Sequence, residues 1–266
     1  MSDIQILLLA IVQGLTEFLP ISSSGHLILA PHLFGFADQG LAFDVAVHLG
    51  SLAAVLLYFR RDVWRIASAW FAALPPGRPQ TVDSRLGWAV IVGTVPVVVG
   101  GLLLKSLVEG ELRAPWVIAA TTIVFGLLLG WSDLRGRRQC GIEELGLRDA
   151  LLIGLSQVLA LIPGTSRSGI TMTTGLWLGF TREAAARFSF LLAIPTILAS
   201  STLVTLDLLG ESGAVDWGAL ALGVVLSGVA AYLAILYFLR FIEQVGMWPF
   251  VVYRLLLGAL ILVLAY

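Results

Sequence analysis

Residues 13–26 read QGLTEFLPISSSGH and residues 163–171 read PGTSRSGIT, two polar strings set inside stretches made otherwise of Leu, Ile, Val, Ala and Gly. Proline, serine and glycine in the middle of an apolar run stop a helix. At membrane depth an interrupted backbone is tolerated only where protein or water satisfies its polar groups. Each string therefore reads as the turn of a re-entrant helix-loop-helix hairpin, the two hairpins covering about 4–34 and 150–180. The strings also hold Glu17, His26 and Arg167. An ionisable side chain at the bilayer centre costs roughly 2.5–3.5 kcal/mol on insertion scales, so such groups mark function.

Around the strings the chain is lipid-like: of 266 residues, 58% are hydrophobic and 12% charged, which excludes a water-soluble domain. The apolar stretches suit α-helical spans of about 20 residues and lack the alternation of a transmembrane barrel. Full spans are expected at 41–59, 86–104, 115–132, 185–206, 217–239 and 249–266. The expected fold is an all-α polytopic membrane protein of six transmembrane helices plus two re-entrant hairpins. A net charge of -1 gives no reason to expect a nucleic-acid partner, and the single Cys140 leaves neither a disulfide nor a thiolate metal site. No basic segment precedes the first apolar run, which is expected to belong to the mature fold rather than to a cleaved signal peptide.

An internal repeat organises the chain. Gly14, Leu15, Thr16 and Glu17 are answered by Gly154, Leu155, Ser156 and Gln157, and LFGF at 33–36 by LGF at 178–180. Each half, about 1–135 and 145–266 of a single membrane domain, is then one hairpin plus three spans. Three is odd, so the second half enters from the opposite side, an inverted-topology repeat whose broken segments meet near the midplane. Loop charge orients it. One side collects Arg60, Arg61, Arg65, Arg78, Arg85, Arg135, Arg137, Arg138, Arg148, Arg182, Arg187 and Arg240, the other only Lys105 and Arg113, which puts both termini outside.

Gln13 and Glu17, four residues apart, share a helix face and make a half-site for Mg²⁺ or Ca²⁺, hard cations that accept bridging phosphate oxygens. A headgroup position or a structural ion pair is the other reading of Glu17. Ser22, Ser23, Ser24 and Gly25 either cap a helix beginning at His26 or present hydroxyls to a ligand, while His26 suits general acid, general base or nucleophile. The second string reads as an anion cradle. Pro163 stops one helix, Gly164 and Gly169 free the backbone, and N–H groups at the next helix start bind phosphate oxygens. Arg167 adds a fork matched to phosphate, with a plain Arg167–Glu17 bridge as the alternative. His32 and His48 are expected to be structural, His48 packed against the periphery of the site, Asp44 to cap a span, Arg182 and Glu183 to be loop charges, and Arg254 to snorkel to the interface.

Taken together, the strings resemble the signature regions of the undecaprenyl-diphosphate phosphatase family of the bacitracin-resistance type, over essentially the whole chain. The pattern of an acidic or amide residue four before a Glu matches Gln13 and Glu17, the Ser-Gly-His turn matches Ser22 to His26, and Pro-Gly-x-Ser-Arg-Ser-Gly-x-Thr matches Pro163 to Thr171. The resemblance implies a bacterial inner-membrane enzyme, its site facing outward. Such an enzyme removes the terminal phosphate of a C55 polyprenyl diphosphate with a divalent cation and so recycles the carrier for peptidoglycan synthesis. Many relatives have Glu where this chain has Gln13, which weakens position 13 as a charged metal ligand. On this reading Arg167, Ser166, Ser168 and Thr171 hold the phosphates, Glu17 positions the metal, and Ser23, His26 or a metal-bound water attacks, Ser23 being activated by His26. A homodimer stays open, and a polyprenyl-phosphate transporter built on the same inverted repeat is the alternative function.

Overall fold

The computed structural model describes residues 1–27, 35, 39–109, 112, 114–208 and 216–265. The part of the first expected hairpin beyond residue 27, His32 with it, lies almost wholly outside the described residues. Within them the protein is helical, with only an isolated bridge between Cys140 and Phe180. Helix α1 runs Asp3–Phe18, α2 begins at Ser23 and its described residues are 23–27, and α3 (Leu41–Tyr58), α4 (Arg60–Ala72), α5 (Val82–Glu109) and α6 (Pro115–Arg135) complete the first half. The second half is α7 (Leu147–Gln157), α8 (Arg167–Trp177), α9 (Arg182–Leu208), α10 (Trp217–Val245) and α11 (Trp248–Ala265).

Five helices, α3, α5, α6, α9 and α10, are long and apolar enough to cross a bilayer, and the sixth expected span, α11, is apolar over the shorter Trp248–Leu264. Their outer faces carry apolar side chains in the open, Leu103, Val225, Leu256 and Val263 among them, as lipid-facing helices do. This is a multi-pass membrane protein. One stretch departs from expectation: residues after Tyr58, read as a charged loop, form α4, an amphipathic helix packed on α5 with Trp64 exposed. Its arginines sit on one face and Ile66 on the other, so the charge that suggests a loop is half of an amphipathic pattern.

Both expected breaks are present. Pro20 forces Leu19 out of the helical region (ψ 146°), ending α1 at Phe18. After α7, a 3-10 turn at Val158–Leu161 leads into Pro163, and α8 begins afresh at Arg167. The helices that carry the breaks cross the opposite half of the chain at close range. A Cβ on Gly14 of α1 would lie 2.3 Å from the Ser227 carbonyl oxygen of α10, and one on Gly154 of α7 would lie 2.4 Å from the Gly93 carbonyl oxygen of α5. Small residues at such crossings let helix backbones approach where lipid gives no hydrophobic drive.

Candidate active site

The two turns share one local construction. Ser22 and Ser166 are in the left-handed region, with φ 72° and 70°, a strain of about 1–3 kcal/mol for each non-glycine residue. Each hydroxyl accepts from an N–H three residues on, Gly25 at 3.3 Å and Gly169 at 3.1 Å, and so caps the next helix. Each also meets the hydroxyl two residues on, Ser24 or Ser168, at 3.3 Å. α2 therefore starts at Ser23, earlier than the expected start at His26. By this correspondence Ser23 and Arg167 hold the same first helical position in the two turns.

These turns meet. Arg167 Nη2 lies 3.3 Å from Glu17 Oε1 across 150 positions of sequence, Nη1 donates to the Ser189 carbonyl at 3.1 Å, and Ser168 Oγ donates to the Leu19 carbonyl at 2.9 Å. The other carboxylate oxygen, Glu17 Oε2, accepts from Ser23 Oγ at 2.7 Å and from Gln13 Nε2 at 2.9 Å. It also faces His48 Nε2 at 3.7 Å. A buried carboxylate thus stands between a serine hydroxyl and a guanidinium. Among the described residues Gln13 Oε1 and Arg167 Nε are buried without a hydrogen-bond partner, a free acceptor and a free donor inside the site.

His26 is occupied differently from the expectation that it activates Ser23. Its Nδ1 lies 2.7 Å from the Ser22 carbonyl and therefore carries the proton, leaving Nε2 to accept the Tyr253 hydroxyl at 2.5 Å. The hydroxyl of Ser23 goes to Glu17 instead. Thr171 is buried, and its hydroxyl donates to the Arg167 carbonyl at 2.9 Å and pairs with the Ser189 hydroxyl at 2.8 Å, which holds α8 to α9. Ser24 is open to solvent and Ser22 is buried. Gly164, at φ 89°, is required sterically: a Cβ would fall 2.3 Å from Thr121 Oγ1.

Arg254 does not snorkel. It is wholly buried, and it donates to the carbonyls of Thr122 (3.0 Å), Thr121 (3.4 Å), Pro20 (3.3 Å), Gly164 (2.9 Å) and Thr165 (3.0 Å). One guanidinium from α11 therefore fastens both turns to α6. Room for it comes from Gly126 and Gly169, whose Cβ atoms would lie 3.1 Å from Arg254 Cβ and 2.8 Å from its Nη1. Arg182, expected as a loop charge, forms a fork onto buried Asp133, Nε to Oδ1 at 2.6 Å and Nη2 to Oδ2 at 2.9 Å, tying α9 to α6.

Sequence reasoning placed His48 at the periphery of the site, where it faces Glu17, and missed Tyr253 and Arg254. The one available signal for the last two was an adjacent Tyr and Arg inside an apolar span.

With this geometry in view, comparison with known proteins is decisive. The family model for bacitracin resistance protein BacA matches residues 6–260. The chain belongs to the BacA family. Curated relatives of similar length agree with the BacA match. Undecaprenyl-diphosphatase 2 of Stutzerimonas stutzeri is 61% identical over 267 residues, covering 99% of this chain and 98% of its own. The undecaprenyl-diphosphatases of Chromohalobacter salexigens and Nitrosococcus oceani are each 58% identical, covering 99% and 98% of this chain and 99% and 98% of their own.

Proposed function

We propose that this BacA-family protein hydrolyses the terminal phosphate of undecaprenyl diphosphate, giving undecaprenyl phosphate and inorganic phosphate and returning the lipid carrier to peptidoglycan synthesis. The names of relatives at 56–61% identity over nearly the whole chain support hydrolysis over transport. The observation that carries the reading is Glu17, bonded to Ser23 Oγ through one oxygen and paired with Arg167 through the other.

A hydroxyl within hydrogen-bond reach of a carboxylate is the arrangement of an activated nucleophile. Ser23 Oγ attacks the terminal phosphorus, its proton passes to Glu17, and the bond to the bridging oxygen breaks, so that undecaprenyl phosphate leaves and phosphate stays on Ser23. Water then displaces Ser23 from phosphorus, Glu17 returns its proton to the Ser23 oxygen, and the water's protons leave with the inorganic phosphate. Arg167, the N–H groups that open α2 and α8, and the hydroxyls of Ser22, Ser24, Ser166, Ser168 and Thr171 form the polar wall against which charge develops. Preorganised donors of this kind are the main resource in phosphoryl transfer. His26, its ring fixed between the Ser22 carbonyl and the Tyr253 hydroxyl, lies beside that wall and orients the turn that carries Ser23.

Mg²⁺ or Ca²⁺ fits the donors present. The described residues hold no cluster of three His, Cys, Asp or Glu, so the Glu17 carboxylate and the orphaned Gln13 Oε1 would share the ion with phosphate oxygens. When bound, the ion neutralises charge on the diphosphate. The reading places the protein in the bacterial inner membrane as an inverted repeat, its two broken helices re-entrant and the site opening outward with the prenyl tail in lipid.

The test is phosphate release from C55 diphosphate by the purified chain, with and without a chelator, and rapid-quench trapping of phosphoserine. Arg167→Ala is expected to lose about 10²-fold or more in turnover, the scale of removing one transition-state donor. Absence of release from the intact chain would sink the assignment. Release without phosphoserine, surviving in Ser23→Ala, would move the attack to water.

A further inference from the structure

We propose that His48 is a cation ligand: its Nε2, the Glu17 carboxylate and Gln13 Oε1 together make a mixed nitrogen and oxygen site suited to Mn²⁺ ahead of Mg²⁺ or Ca²⁺. This deepens the cation part of the proposed function and rests on it. His48 lies in α3, which packs beside α1, and its side chain is half-buried at 30% exposure, open enough for an ion to reach.

Three observations converge. First, His48 Nδ1 lies 2.7 Å from the Asp44 carbonyl, so Nδ1 bears the proton and Nε2 presents its lone pair toward Glu17. A histidine that ligates a metal through one nitrogen almost always donates its other N–H to a carbonyl or carboxylate in this way, fixing tautomer and ring orientation. Second, Nε2 stands 3.7 Å from Glu17 Oε2, too long for a hydrogen bond. Two donors each about 2.0–2.2 Å from one ion lie within about 4.4 Å of each other, so the gap has the width that a shared cation needs. Third, Gln13 Oε1 is withdrawn from solvent with no hydrogen-bond partner among the described residues, although the amide's other end is already on Glu17.

The carboxylate is divided accordingly. Oε1 belongs to Arg167, and Oε2 faces Gln13, Ser23 and His48. A neutral amide at position 13 leaves the site one carboxylate short of a two-acid pair, and an imidazole restores a strong neutral donor. Imidazole favours the transition ions and carboxylate or amide oxygen the hard ones, a mixture that Mn²⁺ accommodates.

Mn²⁺ binding to the full-length chain in lipid nanodiscs, followed by electron paramagnetic resonance, tests this without reference to turnover. The wild type is expected to bind Mn²⁺ with nitrogen hyperfine coupling. His48→Gln should lose that coupling and about tenfold or more in Mn²⁺ affinity, with an unchanged melting temperature in metal-free buffer. A second variant, His48→Glu, should retain Mn²⁺ without nitrogen coupling and gain affinity for Mg²⁺. Binding without nitrogen coupling in the wild type, or coupling that survives in His48→Gln, overturns the role of His48 while leaving Glu17 as the cation's anchor. No Mn²⁺ binding at all, or binding indifferent to Glu17→Gln, overturns the cation reading together with the proposal.

Discussion

Arg254 and Glu17 carry opposite charges into the same interior, yet among the described residues only Glu17 is paired with an opposite charge. The partners of Arg254 are five carbonyl oxygens, drawn from both turns and from α6. Counted with Glu17 and Arg167, the core of the site keeps one positive charge over, a standing attraction for a diphosphate. Arg254→Met should strand those carbonyls without donors, a cost of about 3–5 kcal/mol by analogy with a broken buried pair. At about 2–4 °C per kcal/mol for a chain of this size, the melting temperature should fall by about 6–20 °C. Arg254→Lys should fall less in stability but still lose activity, because a point charge cannot reach all three segments at once. Melting temperatures matching the wild type in both variants would remove Arg254 as the tie between the turns. Glu17 and Arg167 were legible in the sequence because their neighbours are turn formers. Arg254 was not: it sits inside an otherwise apolar helix, where composition does not tell which face turns toward the protein.

The helices that carry the breaks depend on close crossings rather than on their own length. α7 has 11 residues, too few to be stable alone, and is held where Gly154 lets it lie against Gly93 of α5. α1 meets α10 in the same manner at Gly14. Gly14→Ala and Gly154→Ala should each force a backbone apart, costing about 1–3 kcal/mol, and should lower activity with stability because the moved helix carries Glu17 or leads into Arg167. Gly101→Ala in α5 is the control. Its nearest neighbour would be a Leu161 methyl at 3.8 Å, so it should be neutral or gain up to about 1 kcal/mol from helix propensity. Equal melting shifts in all three variants would mean that the crossings are not special. The existence of both breaks was readable from proline and serine chemistry, whereas α4 was not, because its arginines mimic the charge of a loop.

At the scale of the whole molecule, the open question is which face of the membrane the site addresses. The arginines of α4, the 135–138 run and Arg148 fall on one side of the helical array by the charge reading, and the N-terminal end of α1, with Asp3 in its first turn, on the other. Asp3 and Ser68 are both exposed, and Cys140, the only cysteine, lies on the arginine-rich side by that reading. Cysteine introduced at Asp3 in a Cys140→Ala background should react in intact spheroplasts with a membrane-impermeant maleimide. Cysteine at Ser68 should react only after the membrane is opened, as should Cys140 of the unaltered chain. That pattern puts the start of the first broken helix outside and lets the diphosphate reach Ser23 and Arg167 from the outer leaflet. The reverse pattern would turn the site inward, and the carrier released by an outward-facing lipid cycle would then have to cross the bilayer before reaching it.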